Sequence, residues 1–227
     1  MAEPDFLTRT RAAYDTITEP YTEWIAAELA ARPLDRAVLG GFAELVTAAD
    51  AGPVVEIGCG PGRITAHLHG LGLAVSGIDL SPRMVARARR DHPHLRFAEG
   101  SLLGLDLADG ALGGLVAWYS IIHVPDERLP DVFAEFHRVL APGGYAQLAF
   151  AVGDEVVHRD ELGGHPVSLD FHPRRPEGVA DLLRAAGLPP RAQLVREPDT
   201  DGDYPEQEPQ AFLLARKPLG TGRMRPE

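Results

Sequence analysis

Three glycines at alternate positions, Gly58, Gly60 and Gly62, separate the apolar run Val54–Ile57 from Arg63-Ile-Thr65, a sequence suited to a helix start. Glycine lets backbone come close to a bound group, and the free amides of a helix beginning near Pro61 favour an anionic one. A second apolar run, Leu73–Leu80, carries Asp79 near its end, about twenty residues past the loop, where a βαβ unit puts its ribose-binding carboxylate. Asp79 could instead cap the helix that starts near Pro82, but Ser81 is better placed for that. The loop reads G-x-G-x-G, whereas the dinucleotide fingerprint has its third glycine one position later, G-x-G-x-x-G. Strand, glycine turn, helix, strand and terminal acid in this order predict a nucleoside-binding βαβ unit of a non-standard kind.

Other residue types can be weighed against this unit. His123 follows the fourth predicted strand, and a histidine there can take a proton near neutral pH, although a structural histidine fits the same position. His165, Asp170 and His172 are second candidates beyond the fifth strand. Trp118 and Tyr119 end the fourth strand, beside the crevice in which doubly wound sheets bind ligands. Cys59 is the single cysteine; with no adjacent base it reads as a small residue that fits the loop. The pairs His67-x-His69 and His92-x-His94 invite a metal reading. On a helix, however, His67 and His69 point roughly opposite ways, and the second pair straddles Pro93 without a third ligand, so no metal site is expected.

The motif series resembles the class I S-adenosylmethionine-dependent methyltransferases. The first motif of that family reads like Glu56-Ile-Gly-Cys-Gly-Pro-Gly62, and the second ends like Gly77-Ile-Asp-Leu-Ser81. The likeness continues through Ala98–Leu102, Trp118–Pro125 and Phe136–Gly144, and so spans roughly residues 53 to 150. It implies an S-adenosyl-L-methionine cofactor, released as S-adenosyl-L-homocysteine. The implied binding positions include Glu56, Gly58, Cys59, Gly60, Gly62 and Arg63 on the loop. Arg63 could pair with the cofactor carboxylate, Asp79 would take both ribose hydroxyls, Leu80 would floor the adenine, and Met84 and Leu102 would sandwich it. Ser101 stands where the family commonly offers an acid or polar side chain to the adenine amino group, which is a departure. Tyr14-Asp-Thr-Ile-Thr-Glu-Pro-Tyr-Thr-Glu-Trp24 resembles the family's tyrosine-bearing lid, with Tyr14 and Tyr21 over the methionine part. For a hydroxyl or protonated-nitrogen acceptor, His123 is the candidate general base.

The elements that must position these residues alternate. Strands are predicted near 53–58, 73–79, 95–98, 113–119 and 145–151, with helices near 62–70, 82–91 and 126–140: a doubly wound α/β pattern. Residues 6 to 49 read as helical, with apolar stripes that would cap the cleft. The last part contains Pro166–Phe171, a helix near 176–186 and strands near 191–196 and 210–216. The Pro- and acid-rich stretch from Glu197 to Pro209 reads as an exposed loop. The fold class expected is thus α/β, a Rossmann-like seven-stranded sheet under an N-terminal helical cap. The resemblance adds that the sheet is mostly parallel with an antiparallel last strand. The division is one domain over 1–217, made of a cap at 1–50, a cofactor-binding core at 53–150 and a substrate side at 151–217; a disordered tail is expected at 218–227.

Composition sets limits. The 227 residues suffice for one domain with a sizeable core. With 22 Lys and Arg against 33 Asp and Glu, the net charge of −11 opposes a nucleic-acid backbone. Arg83, Arg87 and Arg90 share one side of a helix, which reads as a solvated face. No apolar run approaches the ~20 residues of a membrane span. The single cysteine and an N-terminus without a signal-peptide pattern point to the cytoplasm. The expectation is a small-molecule methyl acceptor, of a kind suited to specialised metabolism, and a monomer or homodimer with no nucleic-acid or membrane partner. The alternatives are an NAD-dependent oxidoreductase on the same layout and a non-catalytic cofactor-binding protein.

Overall fold

A computed structural model describes residues 3–220. The expected tail therefore lies largely outside the described residues. The chain opens with α1 (Asp5–Ile25), α2 (Glu28–Ala31) and α3 (Pro33–Ala49), then alternates β1 (Val54–Ile57), α4 (Arg63–Gly70), β2 (Val75–Asp79), α5 (Pro82–Asp91), β3 (Arg96–Glu99) and β4 (Leu112–Trp118). Two short 3-10 turns lead to α6 (Leu129–Val139) and β5 (Leu140–Ala151). A hairpin of β6 (Val157–Leu162) and β7 (His165–Phe171) precedes α7 (Pro176–Ala185), β8 (Pro190–Arg196) and β9 (Gln210–Arg216).

The sheet has seven strands in the order β3-β2-β1-β4-β5-β9-β8. Pairing is parallel from β3 through β5, while β9 is antiparallel to both its neighbours. Helices cover both faces, which is why β1 and β4 are buried along their whole length and read as continuous apolar runs rather than alternating ones. On one face Phe133 and Phe136 of α6 and Leu183 of α7 pack on Leu115, Leu148 and Leu213. On the other, Phe42 and Val46 of α3 and Leu68 of α4 pack on Val54, Val116 and Phe212.

Local chemistry sets the ends of the elements. Pro82 occupies the first turn of α5, and Ser81 caps it, its hydroxyl accepting the Met84 amide at 3.0 Å. α3 starts on Pro33 and stops at Asp50 in a left-handed conformation. The arginine face of α5 is not simply solvated. Arg87 and Arg90 both pair with Glu19 of α1 and help to seat the cap, and only Arg83 remains outward.

One region departs from expectation, and a second carries contacts that the expectation did not include. The β6–β7 hairpin, absent from the predicted strands, forms a separate two-stranded sheet against α1. The 197–209 stretch is the exposed loop expected, and it is tethered: the Asp199 and Glu206 backbones are joined, and the guanidinium of Arg32 binds the Asp199 carboxylate at 2.5 Å and the Tyr204 carbonyl. No helix among the described residues is long and apolar enough to cross a membrane.

Candidate functional site

The glycine loop leaves the carboxyl end of β1 with left-handed backbone at Gly58 (φ +72°) and Gly60 (φ +52°), conformations that a Cβ would strain. A side chain on Gly58 would collide with Ser120, whereas at Gly60 nothing lies within 4 Å, so the backbone there faces open space. The Gly60 amide donates to Asp79 Oδ2 at 2.7 Å, and the Ser81 amide donates to Oδ1 at 2.8 Å. Asp79 thus ties the loop to the end of β2. Each of its oxygens keeps a further acceptor direction for ligand hydroxyls. Burial pushes its pKa up to about 6, against the lowering effect of these amides.

Glu56, one strand position before the loop, receives the hydroxyl and the backbone amide of Thr65 in the first turn of α4. Burial raises its pKa to about 8, so the group is largely protonated at neutral pH. Cys59 is buried, and burial holds its thiol far above the range of a reactive thiolate. Arg63 pairs with Glu28 of the cap at 2.5 Å.

Two cavities meet above this loop. The first is lined by Asp79, Leu80, Ser101 and Leu102 and roofed by Phe6 and Thr10 of α1. The second, larger cleft opens between Trp24 and Arg32 of the cap, the β6–β7 hairpin and residues 204–210. Tyr14, Tyr21, Gly58, Gly60, Trp118 and Tyr119 line both. The polar floor and apolar walls of the first cavity fit a nucleoside. The backbone at Gly60 supplies a cradle, and Ser120, also on the wall, has a buried hydroxyl without a partner.

His123 is 7% exposed, and both its ring nitrogens are engaged. The Asp170 carbonyl, 2.9 Å from Nδ1, can only accept, so Nδ1 carries the proton; Nε2 then accepts from the Tyr14 hydroxyl at 2.8 Å. Burial lowers the His123 pKa to about 4, which keeps the ring neutral. Burial likewise raises the Tyr14 phenol, with Tyr21 and Asp79 adding to the effect.

Several predicted residues stand elsewhere. Met84 is fully buried and lines neither cavity, whereas Leu102, expected opposite it, lines the first; the flexible apolar chain of Met84 packs in the core. Gly62 also lines neither cavity; its backbone begins α4, and a Cβ there would stand 2.7 Å from Phe97. Glu56, Cys59 and Arg63 border the larger cleft rather than the first cavity. Of the second candidates, Asp170 orients His123 through its backbone while its carboxylate pairs with Arg9 and His158. His165 and His172 line neither cavity. Sequence reasoning missed Ser120 and the whole hairpin wall. The signal for the hairpin was Gly163-Gly164, whose φ values of +59° and +79° suit a two-residue turn. No group of three His, Cys, Asp or Glu able to hold a metal occurs among the described residues.

A family model described as a methyltransferase domain matches residues 54–144. Trans-aconitate 2-methyltransferase of Escherichia coli O139:H28 is 36% identical over 167 residues, covering 71% of this chain and 52% of that protein. Demethylmenaquinone methyltransferase of Chlorobaculum parvum is 34% identical over 96 residues, 42% of this chain and 39% of that one. The chain spans about half or less of the length of these curated relatives. Among solved structures, a DhpI–SAH complex superposes with a TM-score of 0.70 over 96% of this chain and 99% of that chain, at 22% identity, a likeness of fold. Neither relative supports the oxidoreductase alternative. With the glycine loop, the acid at the end of β2 and the strand order all in agreement, residues 54–144 form a methyltransferase domain, and the fold around them is that of the class I S-adenosylmethionine-dependent methyltransferases.

Proposed function

We propose that this chain transfers the sulfonium methyl group of S-adenosylmethionine to an oxygen, nitrogen or carbon nucleophile of a small molecule, leaving S-adenosylhomocysteine. The observation that carries this reading is the junction of two cavities on six shared residues, one cavity shaped for a nucleoside and the other open to an acceptor. Residues 1–50 serve as the cap, 53–150 as the cofactor core and 151–217 as the acceptor side, within one domain. The small-molecule acceptor is supported by the names of the relatives, which act on trans-aconitate and demethylmenaquinone.

When bound, the cofactor supplies an electrophilic methyl, so the chain's task is alignment at roughly 3 to 3.5 Å, from which much of the acceleration comes. Asp79 holds the ribose hydroxyls while keeping the loop in place. Leu80, Ser101 and Leu102 surround the adenine. Tyr14, Tyr21 and Trp118 enclose the point of transfer and exclude water from it. For an acceptor that must lose a proton, that proton passes to the Tyr14 oxygen as the Tyr14 proton passes to His123 Nε2. The oxygen or nitrogen that receives a methyl becomes strongly acidic, so a base as weak as His123 suffices.

Calorimetry with S-adenosylmethionine, S-adenosylhomocysteine and NAD is the direct test. Micromolar binding of the two sulfur nucleosides and none of NAD is expected. Binding of NAD alone would restore the oxidoreductase alternative and remove the present one.

A further inference from the structure

The acceptor cleft carries a marked division of polarity. On the cap and hairpin sides it is bordered by Trp24, 60% exposed at the mouth, and by Tyr21 and Phe171. On the opposite side stand Glu206, Glu208 and Gln210. Gln210 is 6% exposed, and its amide nitrogen donates to the Glu208 carbonyl at 2.8 Å. Because a carbonyl only accepts, that bond fixes the amide the other way round, leaving Oε1 buried with no donor. A buried acceptor left unmet is destabilising, and a ligand that brings a donor to it recovers that loss. The Glu208 carboxylate has no ion-pair or hydrogen-bond partner among the described residues.

The charges behind this wall sum to the same negative sign. Arg32 and Arg196 are enclosed by Asp35, Asp199 and Glu206, three carboxylates against two guanidiniums. Burial raises Asp35 to about 6, which still leaves it largely ionised at neutral pH. The other cations of the cleft do not offset this. Arg63 is neutralised by Glu28, and Arg159 of the hairpin shares the cleft lining with the oppositely charged Glu161.

We propose that Glu208 and Gln210 form the anchoring subsite for a cationic, donor-bearing group on the methyl acceptor, such as an ammonium, with an aromatic or apolar body held by Trp24 and Phe171. Carboxylate acceptors, including polyanions of the trans-aconitate type, are disfavoured by the same wall. This rests on the methyltransferase reading and specifies the acceptor class for it.

The test uses three probes that share one phenol body: tyramine, tyrosol and 4-hydroxyphenylacetate, titrated into the protein saturated with S-adenosylhomocysteine. The order of affinity expected is tyramine, then tyrosol, then the acid, with at least a tenfold span. Glu208→Gln reduces the tyramine preference to threefold or less while S-adenosylhomocysteine binding persists. Gln210→Met, of similar volume, weakens tyramine and tyrosol alike. Tyramine binding no more tightly than the acid, including detectable binding of neither, overturns the proposal, as does a preference unchanged in Glu208→Gln. Failure of S-adenosylhomocysteine itself to bind would instead count against the methyltransferase reading.

Discussion

At the scale of single residues, Asp79 and His123 are set apart by what burial does to each. Asp79 is an acid whose folded pKa lies above its unfolded value, so its contribution to stability is full below the unfolded value and is lost as pH rises through about 6. Ribose hydroxyls donate best to the ionised form. Cofactor affinity is therefore expected to rise with pH through about 6, as titrations at pH 5 and pH 7.5 would show. Asp79→Ala weakens cofactor binding by about 1 to 3 kcal/mol and flattens that pH dependence; unchanged affinity would remove the ribose assignment. His123 is shifted in the opposite sense. It stays neutral down to about pH 4, so the acidic limb of a pH–rate profile attributable to it lies near 4 rather than at the ordinary histidine value. His123→Ala keeps cofactor affinity and lowers turnover of a hydroxyl acceptor by about a hundredfold or more, and equal turnover would reduce it to packing. The sequence made both residues visible as candidates, through motif spacing for Asp79 and strand-end position for His123. It did not reveal that Tyr14 and His123 are partners, because 109 residues separate them and only the docking of α1 brings them together.

At the scale of elements, the parts that follow strong periodic or capping signals were legible. Pro82, Ser81 and the apolar run of β2 place the α5 boundary, and the predicted 82–91 agrees with Pro82–Asp91. The β6–β7 hairpin was not legible for a physical reason. Val157-His-Arg-Asp-Glu-Leu162 is mostly polar, since both its faces meet water or a wet cleft, and the alternation that betrays a half-buried strand is absent. The 197–209 stretch is the exposed loop that its composition announces, but composition does not show that it is tethered. Its acids look solvated in a linear reading, but two of them, Asp199 and Glu206, converge on Arg32, which sits 5% exposed between α2 and α3. Removing that guanidinium leaves Asp199 without its ion-pair partner and Glu206 with Arg196 alone. Arg32→Ala is expected to cost about 3 kcal/mol in denaturant unfolding and to open residues 197–209 to limited proteolysis. Parental stability together with parental protease resistance would mean that the backbone contacts alone hold the segment.

Across the whole molecule, the order of elements sufficed to foresee a doubly wound sheet and the end of it at which the two cavities open. The walls of the acceptor cleft come from three distant stretches of chain, and no local pattern announces that they face one another. The place of β9 has a consequence for how the molecule comes into being. Residues 210–216 lie between β5 and β8, so β8, although synthesised earlier, has no edge to join until β9 has left the ribosome. Until then β5 presents a bare apolar edge, and the nascent chain must be kept from pairing with its neighbours on the polysome.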